Sequence, residues 1–564
     1  MAANRLIECV PNFSEGRDMH IIQQITDEIK TVEGVQLLNV DPGKATNRTV
    51  VTFVGEPGQV IEAAFRAIKK AGEVIDMSKH SGEHPRMGAT DVCPLIPISG
   101  ISMEEVVKYA LQLAKRVGEE LSIPVYCYEE AAQKPDRKNL ATIRAGEYEG
   151  LAKKLEDLNW QPDFGKAVFN PKSGATVIGA RDFLVAYNIN LNTTSTRRAN
   201  SIAFDLRENG RILREGDPVT GKVILDENGE PKRQPGVLKS VKAIGWYIEE
   251  YGIAQVSMNL TNIEITPLHV AFDEAVKSAT SRGIRVTGSE LVGLVPKKVL
   301  TDAGKYFLEK QERSVGVSES ELIHIAVKSL GLDELAPFNP RERVIEYLLE
   351  DPAQKALVSK DLEAFADATA SESPAPGGGS IAAYVGALGA SLGAMVGNLS
   401  SHKPGWDDRW AYFSEWAAKG QALKEELLFL VDEDTRAFNA IIDAVRMPKA
   451  TDDEKKSRSE AMKQATKYAI EVPFRVMETA WKSFEVLEEM TAHGNPNSVS
   501  DAGVGVLCAK TAVFGAYLNV MINCMGLKDP DFVNDMQSRA NAMLENAVKK
   551  EQEIMDAVKA KIGI

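Results

Sequence analysis

The sequence predicts an α/β region followed by an all-α region. In the first third of the chain, short apolar runs of strand length alternate with amphipathic helical patterns. A second block with a similar order of elements begins near residue 176. From residue 344 onwards the chain consists of long helical periods with almost no strand pattern. We therefore expect two α/β subdomains followed by a C-terminal all-helical bundle domain.

The first block contains five strand candidates and a clear helix. The helix is expected over 57–75, where Pro57 suits the first turn because proline needs no N–H partner there. The strand candidates are short apolar runs that alternate with helical patterns. They span residues 6–13, 35–40, 48–55, 92–98 and 123–128.

The second block has the same kinds of element in a similar order. A strand-like run covers 176–191, a helix is expected near 195–208 and another from Thr266, and further strands are expected over 238–250, 253–262 and 286–296. Residues 216–236 are polar and rich in Gly, Pro and acidic side chains, which predicts an exposed excursion from this block.

The length of the chain and the change from an α/β pattern to a helical pattern together predict its domains. At about 100 to 200 residues per domain, 564 residues predict three or four domains. We place an N-terminal α/β subdomain at 1–180, a second at 181–330, a linker at 331–345 and the helical domain at 346–564.

Composition excludes some partners and favours one compartment. The net charge of −14 argues against non-specific nucleic-acid binding, which needs a surplus of Lys and Arg. The five cysteines are scattered without CxxC spacing, and the N-terminus lacks a signal-peptide pattern, so a cytoplasmic protein is expected. Residues 373–402 are uncharged and long enough to span a membrane, but their Gly, Ala and Ser content favours a closely packed soluble helix.

The loop GEHPRMGATDVCP, residues 82–94, carries the strongest candidate for chemistry in the α/β region. Its glycines and Pro85 disfavour a helix, so His80 and His84 do not form the pair of metal ligands that a helical i, i+4 spacing would create. We predict no metal site. His84 is either a structural loop residue or a general base that faces a pocket.

Asp41 is a second polar candidate in the same region. It ends a predicted strand and precedes Pro42 and Gly43, so it is either a turn former or a group that lines a cleft. Two polar loops that leave neighbouring strands favour a cleft shared by Asp41 and His84.

The helical region contains two further candidates. In SPAPGGGSIAAY, residues 373–384, three glycines open a helix, which suits either an anion site or close helix packing. In LVDEDTRAF, residues 430–438, Asp434 lies on a different helix face from Asp432. The acidic run is either a solvated face or the location of one buried acid that can protonate a leaving amine.

Several long motifs resemble one enzyme family in order and over nearly the whole chain. IECVPNFSEGRD, DPGKATNRTVVTFVG, IDMSKHSGEHPRMGATDVCPLIPI and KAIGWYIEEYGIAQVSMNL resemble the glutamate formiminotransferase domain. SPAPGGGS, LVDEDTRAFNAIIDAVRMPK and SDAGVG resemble the cyclodeaminase domain of the bifunctional formiminotransferase-cyclodeaminase family.

The resemblance implies a folate-binding transferase and lyase of histidine degradation and one-carbon metabolism. The formimino group of N-formimino-L-glutamate would pass to N5 of tetrahydrofolate, and the product would cyclise to 5,10-methenyltetrahydrofolate with loss of ammonia. Tetrahydrofolate, with or without a polyglutamate tail, would be the co-substrate, without a metal, in a homo-oligomer. In the alternative, only one half is active and the other serves folate binding or oligomerisation.

The resemblance also implies the site residues. The catalytic histidine of the transferase falls on His84, the cyclodeaminase aspartate on Asp434, and a strand-end substrate-binding aspartate on Asp41. The folate-contacting loop falls on ten residues: Gly165, Lys166, Ala167, Val168, Phe169, Asn170, Pro171, Lys172, Ser173 and Gly174.

Overall fold

Residues 5–44, 47–82, 85–216, 220–350 and 355–564 are described by a computed structural model. They divide into two units. The first comprises Met1–Val299 and Leu330–Leu349, and the second comprises Leu300–Ser329 and Glu350–Ile564. In the described part of the chain, sheets are confined to the first unit, and the second is helical. The predicted change from an α/β region to a helical region is therefore confirmed.

The first sheet of the first unit has seven strands. Its order is β1-β4-β2-β5-β7-β6, with β3 paired to β4 and β1 also paired to β5. Only the β5–β7 and β6–β7 pairs are parallel. The strands are β1 (Leu6–Cys9), β2 (Asn12–Phe13), β3 (Val35–Gly43), β4 (Arg48–Gly55), β5 (Thr90–Ser99), β6 (Val125–Glu129) and β7 (Thr176–Ala180).

Helices cover one face of this sheet and form a core with it. Ala63, Ala67 and Leu113 are fully buried against strand residues such as Ile7 and Phe53. The small alanines allow the helix backbones to lie close to the sheet. The helices on this face are α1 (Met19–Lys30), α2 (Pro57–Val74) and α3 (Met103–Glu120). Two shorter helices, α4 (Leu140–Arg144) and α5 (Leu151–Glu156), pack in a smaller core with Tyr126 and Val177, on the opposite face of the sheet.

A second sheet of four antiparallel strands follows in the order β11-β12-β8-β13, and β9 and β10 form a separate two-stranded sheet. β10 closes the described part of the polar excursion by pairing with β9. The elements are β8 (Val185–Leu191), α6 (Thr196–Leu206), β9 (Arg211–Ile212), β10 (Arg233–Gln234), β11 (Val241–Ile248), β12 (Ile253–Leu260), α7 (Leu268–Thr280) and β13 (Val286–Val292).

The run at 176–191, expected as one strand-like segment, is two strands in different sheets. β7 belongs to the first sheet and β8 to the second. Between them the backbone N–H of Arg181 donates to the carbonyl of Leu95 at 3.1 Å, after which the chain leaves the first sheet. A local pattern of apolar residues does not reveal this change of sheet, because both strands are buried.

The five long helices of the second unit are α13 (Gly378–Ser401), α14 (Trp410–Arg446), α15 (Asp452–His493), α16 (Val499–Cys524) and α17 (Pro530–Ile562). The shorter helices that precede them are α8 (Lys297–Glu309), α9 (Glu319–Leu330), α10 (Pro340–Arg343), α11 (Ile345–Leu348) and α12 (Leu362–Ala370). α13 packs against α14, α15 and α16 in this bundle.

Glycines allow α13 to approach its neighbours closely. A Cβ atom at Gly389 would lie 2.9 Å from the carbonyl oxygen of Gly505, and one at Gly397 would lie 3.0 Å from the Cβ of Ala417. The predicted close packing of this segment is confirmed. By length and composition alone, α13 and the segment Pro496–Cys524 are long and apolar enough to cross a membrane. In the structure, 61% of the most apolar window of α13 is buried, and 39% of that of Pro496–Cys524.

Candidate functional sites in the two units

A cavity of about 730 Å³ lies between the two large sheets of the first unit. One side is formed by β1, β3, β4 and β5, which contribute Glu8, Asp41, Val50 and Val92 among others. The opposite side carries one residue from each strand of the second sheet: Ala186, Lys242, Asn259 and Val292.

The alternation of side chains along the strands explains this cavity. Ile7 and Cys9 of β1 are fully buried in the helix-covered core, whereas Glu8 between them lines the cavity. On β4, Phe53 belongs to the same core and Thr52 lines the cavity. Since successive residues of a strand point to opposite faces, one face of the first sheet packs on α1, α2 and α3, and the other lines the cavity and the small core formed with α4 and α5.

Charged side chains of both signs line the cavity. Four are cationic and three are acidic: Arg48, Arg144, Arg181 and Lys242, and Glu8, Asp41 and Glu147. Burial lowers the pKa of Arg48 to about 10, so that it remains a cation at neutral pH. Arg144 is held in place by an ion pair with buried Asp91. This arrangement suits an anionic substrate that also carries polar N–H groups.

Asp41 lies in this cavity, as the hypothesis of a cleft requires. It is an exposed residue within β3, opposite Val50 of β4, rather than at the end of its strand, because β3 continues to Gly43. Its position satisfies the geometric condition for contact with a substrate, and its role in binding remains a prediction.

His84 and the adjacent Glu83 lie outside the described residues. On one side of them, Pro85 lines the cavity. On the other side, the carbonyl of Ser81 accepts a hydrogen bond from Asn47 Nδ2 at 2.9 Å. The catalytic role of His84 remains a prediction.

The flanks of His84 are held by a polar network around Arg86. The Nε of Arg86 donates to Nδ1 of His80 at 3.2 Å, so the proton of that imidazole is on Nε2, which donates to the carbonyl of Asn47 at 2.9 Å. Burial, helped by the charge of Arg86, lowers the pKa of His80 and favours this neutral form. Arg86 also pairs with Glu149 at 2.7 Å and Glu147 at 3.1 Å.

The predicted folate loop, residues 165–174, packs beside this network. Gly174 has φ +64°, and a Cβ there would lie 2.2 Å from the carbonyl oxygen of Met87. Asn170 Oδ1 accepts the backbone N–H groups of Lys172 at 3.0 Å and Ser173 at 3.1 Å. Among the described residues that line the cavity between the sheets, none belongs to this loop. Its contacts with folate remain a prediction.

In the second unit, Asp434 of α14 lies against the first turn of α13. Ser380 Oγ is 3.1 Å from Asp434 Oδ2, and a Cβ at Gly379 would lie 2.1 Å from Asp434 Oδ1. Burial raises the pKa of Asp434, while the hydrogen bond from Ser380 opposes the rise. A carboxyl with a raised pKa retains its proton closer to neutral pH, which suits a proton donor.

The acidic run around Asp434 is not a solvated face. Asp432 is buried and accepts the backbone N–H groups of Leu357 at 2.7 Å and Val358 at 3.2 Å. Glu433 is also buried and pairs with Arg436. Asp434 is therefore left as the half-buried carboxyl of the run, without a cationic partner among its hydrogen bonds in the described structure.

Sequence reasoning missed Glu8, Arg181 and Ser380. Glu8 and Arg181 lie within apolar strand patterns, and an isolated charged residue in such a pattern is usually expected to face solvent. Ser380 follows the predicted glycine stretch and could have been found as the polar residue closest to the start of α13. The described residues contain no group of three or more His, Cys, Asp and Glu side chains arranged to hold a metal ion.

Comparison with known proteins gives consistent matches along the chain. The model described as the N-terminal subdomain of the formiminotransferase domain matches residues 6–181, and the model described as the formiminotransferase domain matches 186–350. The model described as formiminotransferase-cyclodeaminase matches 361–542.

Curated relatives cover the whole chain or one part of it. Formimidoyltransferase-cyclodeaminase of Mus musculus is 44% identical over 559 residues, which cover 99% of each chain. Glutamate formimidoyltransferase of Thermoplasma acidophilum is 43% identical over 306 residues, which cover 54% of this chain and 92% of the relative. Methenyltetrahydrofolate cyclohydrolase of Methylorubrum extorquens is 34% identical over 205 residues, which cover 36% of this chain and 99% of the relative.

Proposed function

The chain belongs to the formimidoyltransferase-cyclodeaminase family, and from this membership we propose that its two units catalyse consecutive reactions on one folate. The observation that carries the proposal is the match over 99% of both chains to a relative whose name contains both activities. The substrates are N-formimino-L-glutamate and tetrahydrofolate, and the final product is 5,10-methenyltetrahydrofolate. The reactions belong to histidine degradation and supply one-carbon units.

The first reaction takes place in the cavity between the sheets. N5 of tetrahydrofolate attacks the formimino carbon, and the bond from that carbon to the glutamate nitrogen breaks. N5 loses a proton and the departing nitrogen gains one, so one imidazole can carry out both transfers, and we assign this role to His84. Asp41 binds substrate in the cavity, and the loop 165–174 contacts folate. Cations such as Arg48 and Lys242 favour the carboxylates of the substrates.

The second reaction takes place where Asp434 meets the start of α13. N10 attacks the formimino carbon and loses its proton, and the former imino nitrogen leaves as ammonia after it has been protonated. Asp434 is the proton donor, because its burial raises its pKa toward the range in which a carboxyl can deliver a proton near neutral pH. Both reactions as written consist of an addition, proton transfers and the elimination of an amine, and none of these steps requires a metal ion.

The second unit forms a homo-oligomer through α16. Apolar side chains recur along one side of this helix and are between 43% and 84% exposed, a pattern typical of a covered interface. They are Val504, Leu507, Phe514, Leu518 and Ile522, and Met525 continues the stripe directly after the last residue of the helix. We propose that a second copy of the chain covers this stripe. Sedimentation analysis of Leu518→Glu tests it: dissociation supports the interface, and unchanged assembly opposes it.

The protein acts in the cytoplasm, where its five cysteines stay reduced. Cys9, Cys93, Cys127, Cys508 and Cys524 are all free thiols. Cys9 and Cys93 face each other with their sulfur atoms 3.5 Å apart, an arrangement that a reducing compartment preserves.

A single assay tests the proposed function. Purified protein is mixed with N-formimino-L-glutamate and tetrahydrofolate, and released glutamate, released ammonia and the absorbance of the methenyl product are followed together. We expect all three to appear in equal amounts. Glutamate without ammonia would show that only the first unit is active, and the absence of all three would refute the proposal.

A further inference from the structure

Glu8 is a buried carboxylate that the reaction scheme leaves without a role. It lies in β1 within IECVPNF, one of the motifs that link this chain to its family, yet none of the proposed proton transfers uses it. Its exposed fraction is 2%. Ile7 and Cys9 on either side point into the helix-covered core, so Glu8 points to the cavity between the sheets, which it lines.

The two residues directly opposite Glu8 in the sheet are apolar. Across the strand pairs, Glu8 lies opposite Val54 of β4 and Ile96 of β5, and both are buried apolar residues. Directly opposed residues of an antiparallel pair share a face, so these two side chains flank the carboxylate. Within the described residues, no hydrogen bond to the carboxylate is formed. Arg181, which also lines the cavity, is the charged neighbour that acts on it.

A buried carboxylate in such surroundings is unfavourable in the free protein. Burial raises the pKa of Glu8 to about 7, and the charge of Arg181 only partly opposes this. A carboxylate oxygen that is removed from water and accepts no hydrogen bond is destabilised. A ligand that donates a hydrogen bond to it can restore the lost stabilisation. Because the unfilled acceptors adjoin the substrate cavity, the missing donors are expected on a substrate.

We propose that Glu8 binds substrate by accepting two parallel hydrogen bonds from a planar N–C–N group. This inference rests on the proposed transferase function. Both substrates of that reaction contain such a group: the formimino end of formiminoglutamate, and the edge of the pterin ring that carries the 2-amino group and N3–H. A carboxylate matches two parallel N–H donors in bidentate geometry.

Substrate kinetics of Glu8→Gln test this role. Glutamine has the size of glutamate but offers one acceptor and an NH2 group that repels N–H donors. We expect the KM for one substrate to rise about tenfold or more. A rise for formiminoglutamate assigns the contact to the formimino group, and a rise for tetrahydrofolate assigns it to the pterin. Equilibrium binding of tetrahydrofolate, followed by fluorescence, provides a readout apart from turnover.

Glu129→Gln is the matched control. Glu129 is a half-buried carboxylate on β6 that also lies near Arg181 and has a pKa raised by burial, but it does not line the cavity. We expect both KM values to stay within about twofold of the original protein in this variant. If Glu8→Gln and Glu129→Gln have the same KM values and the same affinity for tetrahydrofolate as the original protein, the proposal is wrong.

Two further measurements separate this proposal from a folding defect and from the proposed function. Cyclodeaminase activity on supplied 5-formiminotetrahydrofolate reports that each variant is folded, and Glu8→Asp, which keeps the charge at a shorter reach, serves if Glu8→Gln fails to fold. Glu8→Asp with the KM values of the original protein would overturn the proposal in that case. If the original protein releases no glutamate, the transferase function itself has failed, and tetrahydrofolate binding alone decides whether Glu8 contacts the pterin.

Discussion

Ser380 Oγ lies 3.1 Å from Asp434 Oδ2 and 2.9 Å from the carbonyl oxygen of Val431, in the first turn of α13. Its single hydroxyl proton can be donated to either acceptor. When Asp434 accepts it, the hydrogen bond favours the ionised carboxylate and opposes the effect of burial on the pKa. Ser380 therefore adjusts the pKa of the proposed proton donor as well as its orientation.

Ser380→Ala is expected to change the pH profile of the cyclodeaminase. Loss of the hydrogen bond raises the pKa of Asp434, so the carboxyl remains protonated to a higher pH, and the alkaline limb of kcat moves upward in pH. Ammonia release from 5-formiminotetrahydrofolate between pH 5 and pH 9 measures this. Ser391→Ala is the control, because Ser391 of the same helix donates only to its own helix, at Ala387. An unchanged profile in Ser380→Ala would exclude this coupling.

Gly379→Ala is expected to lower the cyclodeaminase rate about 100-fold and to spare the transferase. A Cβ at Gly379 would lie 2.1 Å from Asp434 Oδ1, so that the carboxyl has to move. Displacement of a catalytic group by about 1 Å can cost a factor of about 100 in rate. Gly377→Ala is the matched control, because its nearest neighbour, Pro374 O, would be 3.5 Å from the added atom. Equal activities of the two variants would argue against a catalytic Asp434.

Arg86→Lys is expected to lower the transferase rate without affecting the cyclodeaminase. Lysine cannot reproduce the pairing of Arg86 with both oxygens of Glu149 while also donating to His80. The flank of His84 loses its anchor, and we expect kcat for glutamate release to fall about tenfold or more. Arg5→Lys, at an exposed ion pair with Glu105, is the control. A normal transferase rate in Arg86→Lys would contradict this role.

Glu8→Gln is expected to stabilise the protein above pH 7 and to have little effect near pH 4. Burial raises the pKa of Glu8 from its ordinary value of 4.5 to about 7, so the folded state holds more protons than the unfolded state between these values. The free energy of unfolding then falls as the pH rises through that window, by roughly 1 to 3 kcal/mol. Thermal unfolding of both proteins at pH 4 and pH 8 tests this, and a less stable variant at pH 8 would contradict it.

Strand positions in the first sheet follow closely from the sequence. β4 occupies residues 48–55 as its Val-rich pattern predicts, whereas β3 runs three residues beyond its predicted end, through Pro42. Proline has no N–H to contribute to a sheet, and β3 accommodates it because it pairs only with β4, at the edge. A single sequence does not reveal which strand lies at an edge, so the predicted end of β3, at residue 40, is three residues too early.

The candidate sites were only partly predictable for a similar reason. Asp41 and Asp434 were identified because each stands in a motif with polar neighbours, and the structure places Asp41 in the cavity and Asp434 half-buried beside Ser380. Glu8 was missed because the sequence shows only that it faces away from Ile7 and Cys9. The second sheet, which closes the cavity over that face, is formed by residues more than 170 positions later.

A mixing experiment tests most directly whether two separate sites act in sequence. Asp434→Asn is incubated with formiminoglutamate and tetrahydrofolate, and His84→Ala is added after glutamate release has stopped. We predict glutamate without ammonia before the addition, and ammonia with the methenyl absorbance after it, because each variant retains the site that the other lacks. If Asp434→Asn already forms the methenyl product alone, or if the mixture never forms it although both variants are folded, the assignment of one reaction to each site is wrong.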